Sequence, residues 1–147
     1  MFFIANHPIY NHPLPEGHRF PMLKYELLPK QLLHEGTAEC TDFYSPDSID
    51  LSLVHAVHTV SYVKALTELT LDAKAVRSIG FPLSAALVER ELRIAQGTVV
   101  GCNHALEHGI AFNIAGGTHH AFSDRGEAFC LLNDQAIAAQ YLINQKK

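Results

Sequence analysis

Cysteine is scarce in this sequence: Cys40, Cys102 and Cys130 are odd in number, far apart, and form no CxxC pair. That excludes a disulfide framework and is the usage of reduced thiols in a cytosolic protein. Basic side chains are also few, 11 Lys and Arg against 15 Asp and Glu for a formal charge of −4. They are scattered rather than clustered, which argues against direct nucleic-acid binding, whose footprint is a basic patch. No apolar run reaches the length of a membrane span. The start, MFFIANHPIYNHP, lacks a basic region and a long apolar core, so no secretory signal is expected and a cytoplasmic location is. Internal repeats and low-complexity tracts are absent as well.

What is present is an ordinary globular composition over 147 residues, 48% of them hydrophobic, with ten histidines as its one oddity. Histidine changes charge near neutral pH and is a common metal ligand. Along the chain, Phe2–Ala5 reads as a buried strand ended by Asn6-His7-Pro8. Four prolines between His7 and Pro21 exclude regular helix there. Apolar residues at helical spacing mark 22–33, with Pro29 breaking the run, and a polar loop is expected over 34–50. The stretch 52–71 reads as mostly helical, and Gly80-Phe81-Pro82 as a break. Ser84 is placed to cap a helix over 85–95, which Gly97 is expected to interrupt or kink before a second piece to about Glu107 and a stop at Gly109. Ile110–Ile114 reads as a parallel strand, and 133–144 as a closing helix.

These elements describe an α/β plan with strands joined by helical crossovers. Only two strands are legible, fewer than a covered parallel sheet usually has, and an open strand edge invites pairing. The expectation is therefore part of a larger α/β domain, with homo-oligomerisation through the open edge as one consequence.

Chemistry gathers in Ile114–Asp134, IAGGTHHAFSDRGEAFCLLND. A strand ends, Gly116-Gly117 permits unusual backbone angles, and His119 and His120 follow on the loop. Ligands and catalytic groups in open α/β sheets sit beyond the carboxyl ends of the strands. Neighbouring side chains of a strand point to opposite faces, so both rings share a pocket only if this loop is irregular. For the pair alone, the alternative is one solvent-facing and one structural histidine. His55 and His58, or His104 and His108, have helical spacing suited to a metal pair. Neither comes with an HExxH pattern or a neighbouring carboxylate ligand, and a surface or dipole-capping role suits the second pair better.

GGTHHAFSDRGEAFCLLNDQAIAA resembles the segment that marks the histone deacetylase superfamily, which includes acetoin-utilisation proteins and acetylpolyamine amidohydrolases. HPIYNHPLPEGHRFPMLKYELL is similar to that family's N-terminal strand, loop and helix. VHTVSYVKAL, from Val57, is similar to its Val-His-x-x-x-Tyr helix. The resemblance runs over nearly the whole chain, corresponds to roughly the first half of a family catalytic domain, and is nearest to the shorter bacterial-type members.

The resemblance implies a truncated, three-layer arginase/deacetylase-type α/β fold with a parallel sheet. It implies zinc-dependent hydrolysis of an acyl-amide: acetyl-lysine, an acetylpolyamine or another small amide. His120 matches the family's general base and acid, and His119 its electrostatic partner. Phe129 matches an aromatic wall of the tube gripping the lysine stem, with membership of the core as the alternative. Ala128 stands beside it where the family often has glycine. Arg19 resembles an arginine of an inner cavity, with a surface or ion-pair role equally open. Cys130 reads as a packed thiol, and Asn133 and Asp134 as groups that cap or orient the following helix.

Zn2+ is implied by the resemblance, but its family ligands, an Asp-x-His pair on a later strand and a further Asp, have no match in this sequence. The oxyanion-stabilising Tyr has none either. The expectation is that this polypeptide alone does not deacetylate. The alternative is a truncated or degenerate member that binds acyl-lysine or dimerises without catalysis.

Overall fold

The protein is described by a computed structural model covering residues 2–145. Three short strands, β1 (Ile4–Ala5), β2 (Phe43–Tyr44) and β3 (Phe112–Asn113), form one parallel sheet in the order β2-β1-β3. Ile4 pairs with Phe43 and Phe112, and Ala5 with Tyr44 and Asn113. The central strand β1 is buried at both residues, as its apolar run predicts.

A third strand, β2, thus joins the two legible in the sequence. β2 lies inside the stretch expected to be a polar loop. Its two residues are only half-buried, so no alternation marks it, and pairing with β1 alone makes it a strand.

Helix α1 (Lys24–His34) runs through Pro29 without a break. None of its residues is fully buried. The 52–71 stretch resolves into α2 (Leu51–His55) and α3 (Val60–Thr67). Asp50 and Thr59 cap them by accepting the N–H groups of Ser52 at 2.8 Å and Tyr62 at 3.4 Å. Helix α4 (Ala73–Ile79), which the sequence pattern did not announce, starts on Asp72 and ends on Gly80 at φ 88°.

Helix α5 (Ala85–His108) begins as expected at Ser84, whose hydroxyl accepts from Leu87 N–H at 3.1 Å, and stops at Gly109. It is continuous. The expected interruption at Gly97 does not occur, because this glycine serves close approach instead. A Cβ there would lie 2.9 Å from Asn113 Nδ2 and 3.0 Å from both Ala5 Cβ and Tyr10 Oη. Gly97 thereby lets α5 press against the sheet.

Helix α6 (Asp134–Asn144) packs along α5. Between the helices lies the core, with Tyr62, Val63 and Leu66 of α3 beside Ile79, Phe81, Leu87, Leu131 and Ile137, all buried. Each large apolar side chain so buried contributes about 1.5–3 kcal/mol. Arg90 and Glu91 form a buried ion pair, and Arg90 Nε also donates to Tyr10 O at 2.9 Å. Burial pushes the Glu91 carboxyl up, and the Arg90 guanidinium opposes that shift. Among the described residues no helix is long and apolar enough to cross a membrane.

Candidate active site

The site begins where β3 ends. Asn113 Nδ2 donates to Ile94 O and to Thr98 Oγ1, both at 2.8 Å, which locks the strand end onto α5. Gly116 fits tightly above it: a Cβ would lie 3.0 Å from Asn113 Cβ and 3.1 Å from Thr98 Oγ1. Gly117 turns the chain at φ 91°, a conformation that favours glycine. The buried carboxylate of Asp134 then holds the turn. It accepts from Gly117 N–H at 3.0 Å, Thr118 N–H at 2.7 Å, Thr118 Oγ1 at 2.9 Å, and Thr98 Oγ1.

That turn delivers both imidazoles to one place. The rings of His119 and His120 lie 4.1 Å apart between centroids, tilted by 41°. Both residues are exposed. They line a cleft of about 360 Å³ with Ala121, Phe122, Glu127 and Ala128. His119 Nδ1 donates to Gly117 O at 2.8 Å, so its Nε2 carries the lone pair in the neutral ring. Among the described residues no hydrogen bond engages the His120 ring.

The downstream arm of the loop is clamped from two sides. Asn133 Oδ1 caps α6 through Ala136 N–H at 3.0 Å, as expected, while its Nδ2 donates to His119 O at 3.3 Å and Ala121 O at 3.2 Å. From α3 and the turn before it, Tyr62 Oη donates to Leu131 O at 2.8 Å, and buried His58 Nε2 accepts Asn133 N–H at 3.0 Å. His58 and Tyr62 are the two marked residues of the Val-His-x-x-x-Tyr motif, so that motif works by holding the loop. Burial lowers the His58 pKa, partly opposed by the nearby carbonyls of Phe122 and Ser123.

Ala128 and Phe129 both have positive φ, 48° and 68°. Their N–H groups donate to Ser78 O at 3.0 Å and Ile79 O at 2.7 Å, pinning the segment to the end of α4. The left-handed angle costs a non-glycine residue about 1–2 kcal/mol, which gives a physical reason for glycine beside this phenylalanine. The Phe129 ring joins an aromatic cluster, 5.0 Å from the rings of Phe20 and Phe81. Arg19 is exposed, with its guanidinium 5.0 Å over Phe129. The structure thus gathers His119, His120 and Ala128 around one cleft, and Arg19 and Phe129 around the adjoining aromatic cluster. Cys130 is buried, with its thiol pushed up by burial, which disfavours the thiolate.

Sequence reasoning did not single out Thr98, Thr118, Phe122 or Glu127. The first two act through hydroxyl contacts across the fold, which no local pattern announces. The last two flank the cleft inside the loop already marked as chemical.

The histone deacetylase domain profile matches residues 18–147. This chain belongs to the histone deacetylase family. It is 47% identical over 139 residues to an uncharacterised protein of Picosynechococcus, covering 95% of this chain and 46% of that one. It is 33% identical to the acetoin utilization protein AcuC of Bacillus subtilis over 67% of this chain and 27% of that one. Among solved structures, a histone deacetylase homologue complexed with SAHA superposes with TM-score 0.82 at 23% identity, over 98% of this chain and 41% of that one. A homologue from Aquifex aeolicus gives TM-score 0.80 at the same identity and coverage. These superpositions establish the fold: α/β with a parallel sheet. The chain spans less than half the length of these relatives.

Zinc is the metal the family implies. Among the described residues no three His, Cys, Asp or Glu side chains gather as a metal-holding group. The tandem histidines offer two rings, one with its Nδ1 committed to Gly117 O, where a catalytic zinc takes three protein ligands. The residues present do not fit a zinc site.

Proposed function

We propose that this chain is the proton-handling part of an amidohydrolase that removes acyl groups from acetyl-lysine or a similar small amide. The observation that carries the reading is the His119–His120 pair, two imidazoles 4.1 Å apart over one cleft. Imidazole is the side chain most often used to accept and return a proton in catalysis. In this reading His120 takes a proton from the water attacking the acyl carbonyl and gives one to the leaving amine. His119 shares or supports the developing charge. Ala128 and Phe129 flank the substrate's methylene stem, whose burial contributes about 0.8 kcal/mol per CH₂. Arg19, stacked on Phe129, receives the released carboxylate.

Activity in the complete protein is inferred to require zinc whose ligands come from outside these 147 residues, so the isolated chain is inactive. The outer edge of β3, where Phe112 is 49% exposed, supports pairing with a further strand, from the rest of the domain or from a second copy. The test is hydrolysis of an acetyl-lysine peptide. The complete protein is expected to turn it over with sensitivity to a chelator, and the 147-residue chain to leave it intact. Chelator-sensitive turnover by the short chain would overturn the second half of this reading.

A further inference from the structure

We propose that His18 is a positioning residue for the Arg19–Phe129 wall of the site, acting by tying the proline-rich loop to the carboxyl end of α4. The inference rests on reading Arg19 and Phe129 as groups that meet the substrate. His18 itself does not line the cleft of His119 and His120. The last carbonyls of a helix have no partner inside it. At the end of α4, three successive ones are taken by the site. Ser78 O accepts Ala128 N–H at 3.0 Å, Ile79 O accepts Phe129 N–H at 2.7 Å, and Gly80 O accepts His18 Nε2–H at 2.9 Å. One helix end thus holds two segments that are far apart in sequence.

Both nitrogens of the His18 ring are committed. With Nε2 donating to a carbonyl, the neutral ring has its lone pair on Nδ1, and Nδ1 accepts Phe20 N–H at 3.1 Å. The first bond is long-range and the second shapes a local turn. The ring also stacks on buried Phe81 at 5.7 Å between centroids and meets Phe129 edge-on at 6.1 Å. Pro13, Pro15 and Pro21 have no amide N–H to give. Among the described residues, the His18–Gly80 bond is the one hydrogen bond that joins residues 13–22 to a distant segment.

The consequence falls on the next two residues. The Arg19 guanidinium lies 5.0 Å over the Phe129 ring, and the Phe20 ring is 5.0 Å from it. Arg19 is exposed, and a cation over an aromatic face is a weak restraint at an exposed site. The directional bond from His18 to Gly80 therefore sets where Arg19 and Phe20 meet Phe129, whose own backbone is pinned one residue earlier on the same helix end.

The experiment is NMR of the 147-residue chain, wild type against His18→Asn, with circular dichroism to verify folding. Asparagine keeps an acceptor for the amide two residues on but carries no donor at the place of Nε2, so only the long-range bond is removed. In the wild type, the His18 ring should report the Nε2–H tautomer, and the Arg19 side-chain protons should be shifted upfield by the Phe129 ring. In His18→Asn that upfield shift should fall by at least about half, because a cation over an exposed ring is held weakly without the bond. A folded variant that keeps the Arg19 shift overturns the proposal. If the variant does not fold, the wild type decides: the Nδ1–H tautomer or an unshifted Arg19 overturns it, and the Nε2–H tautomer with a shifted Arg19 sustains it. In the complete protein, His18→Asn should raise KM for an acetyl-lysine peptide about three- to tenfold with kcat little changed, since the stem is gripped in ground and transition states alike. An unchanged KM in a folded variant overturns the role at the wall. Absence of turnover by the wild-type complete protein counts against the hydrolase reading alone, and the NMR result still decides the coupling.

Discussion

His58 and Asn133 are 75 positions apart in sequence and joined by a hydrogen bond of 3.0 Å, ring Nε2 accepting backbone N–H. Since Nε2 accepts, the neutral ring carries its proton on Nδ1. The neighbouring Thr59 N–H donates to Ser123 O at 2.8 Å. One short segment thus fastens the loop at two points downstream of His119 and His120.

Replacing His58 by Ala leaves the part-buried Asn133 N–H without its acceptor and opens a void. The expected cost is about 1–3 kcal/mol for the unpaired group, with a cavity contribution in addition. Urea unfolding checks this. Tyr62→Phe, which leaves Leu131 O without its donor, should cost less, about 1 kcal/mol, because the ring volume is kept.

Acid should weaken the fold through the same residue. Burial depresses the folded-state pKa of His58 below the ordinary 6.5, so the folded state favours the neutral ring. Its contribution is fully present above that value. As the pH falls below it, the unfolded chain binds the proton first and stability declines. His7 and His12 are shifted the same way, mainly by burial. Denaturation curves between about pH 5 and 7.5 should show stability rising with pH, and His58→Gln should flatten that slope. An unchanged slope in the variant would remove His58 as a source.

Much of this architecture was legible from residues alone, and the gaps have physical causes. Ser84, Gly109 and Asn133 act as the caps their side chains or backbone freedom announce. The Ile110–Ile114 run contains β3. Three features escaped because they depend on what lies across the fold. β2 is a strand only by its pairing with β1. Gly97 lies inside a continuous helix because Ala5, Tyr10 and Asn113 crowd it. Pro29 stands in a helix none of whose residues is fully buried. In the site, the Gly-Gly turn and both histidines were readable as a motif. The buried acceptor that shapes the turn reads in sequence as a group that caps or orients the following helix, because Asp134 stands beside a helix start in sequence and beside the turn only in space.

Two glycines separate backbone freedom from close approach. Gly17 and Gly80 have φ of 75° and 88°, but an added Cβ meets nothing within 4 Å at the first and lies 2.9 Å from the Phe129 ring at the second. Gly17→Ala should cost about 1 kcal/mol for the left-handed angle alone. Gly80→Ala should cost about 2–4 kcal/mol, since displacing Phe129 adds an overpacking penalty. Thermal unfolding of the two variants gives the difference directly. Equal losses would mean that Phe129 yields freely and is not held by its aromatic neighbours.

The two histidines should not be equivalent in the complete protein. His119 has its Nδ1 tied to Gly117 O, whereas His120 has no such tether among the described residues and faces the same cleft. The ring that must both take and return a proton is better served by freedom from a competing bond, so His120→Ala should lower kcat by about 10²–10⁴ with KM little changed. If, as proposed, His119 only supports the charge on His120, His119→Ala should lower kcat less. Steady-state kinetics on both variants, with circular dichroism to verify the fold, separates the roles. Near-normal rates for His120→Ala would take the general-base assignment away from it, and a larger loss for His119→Ala would transfer that assignment to His119.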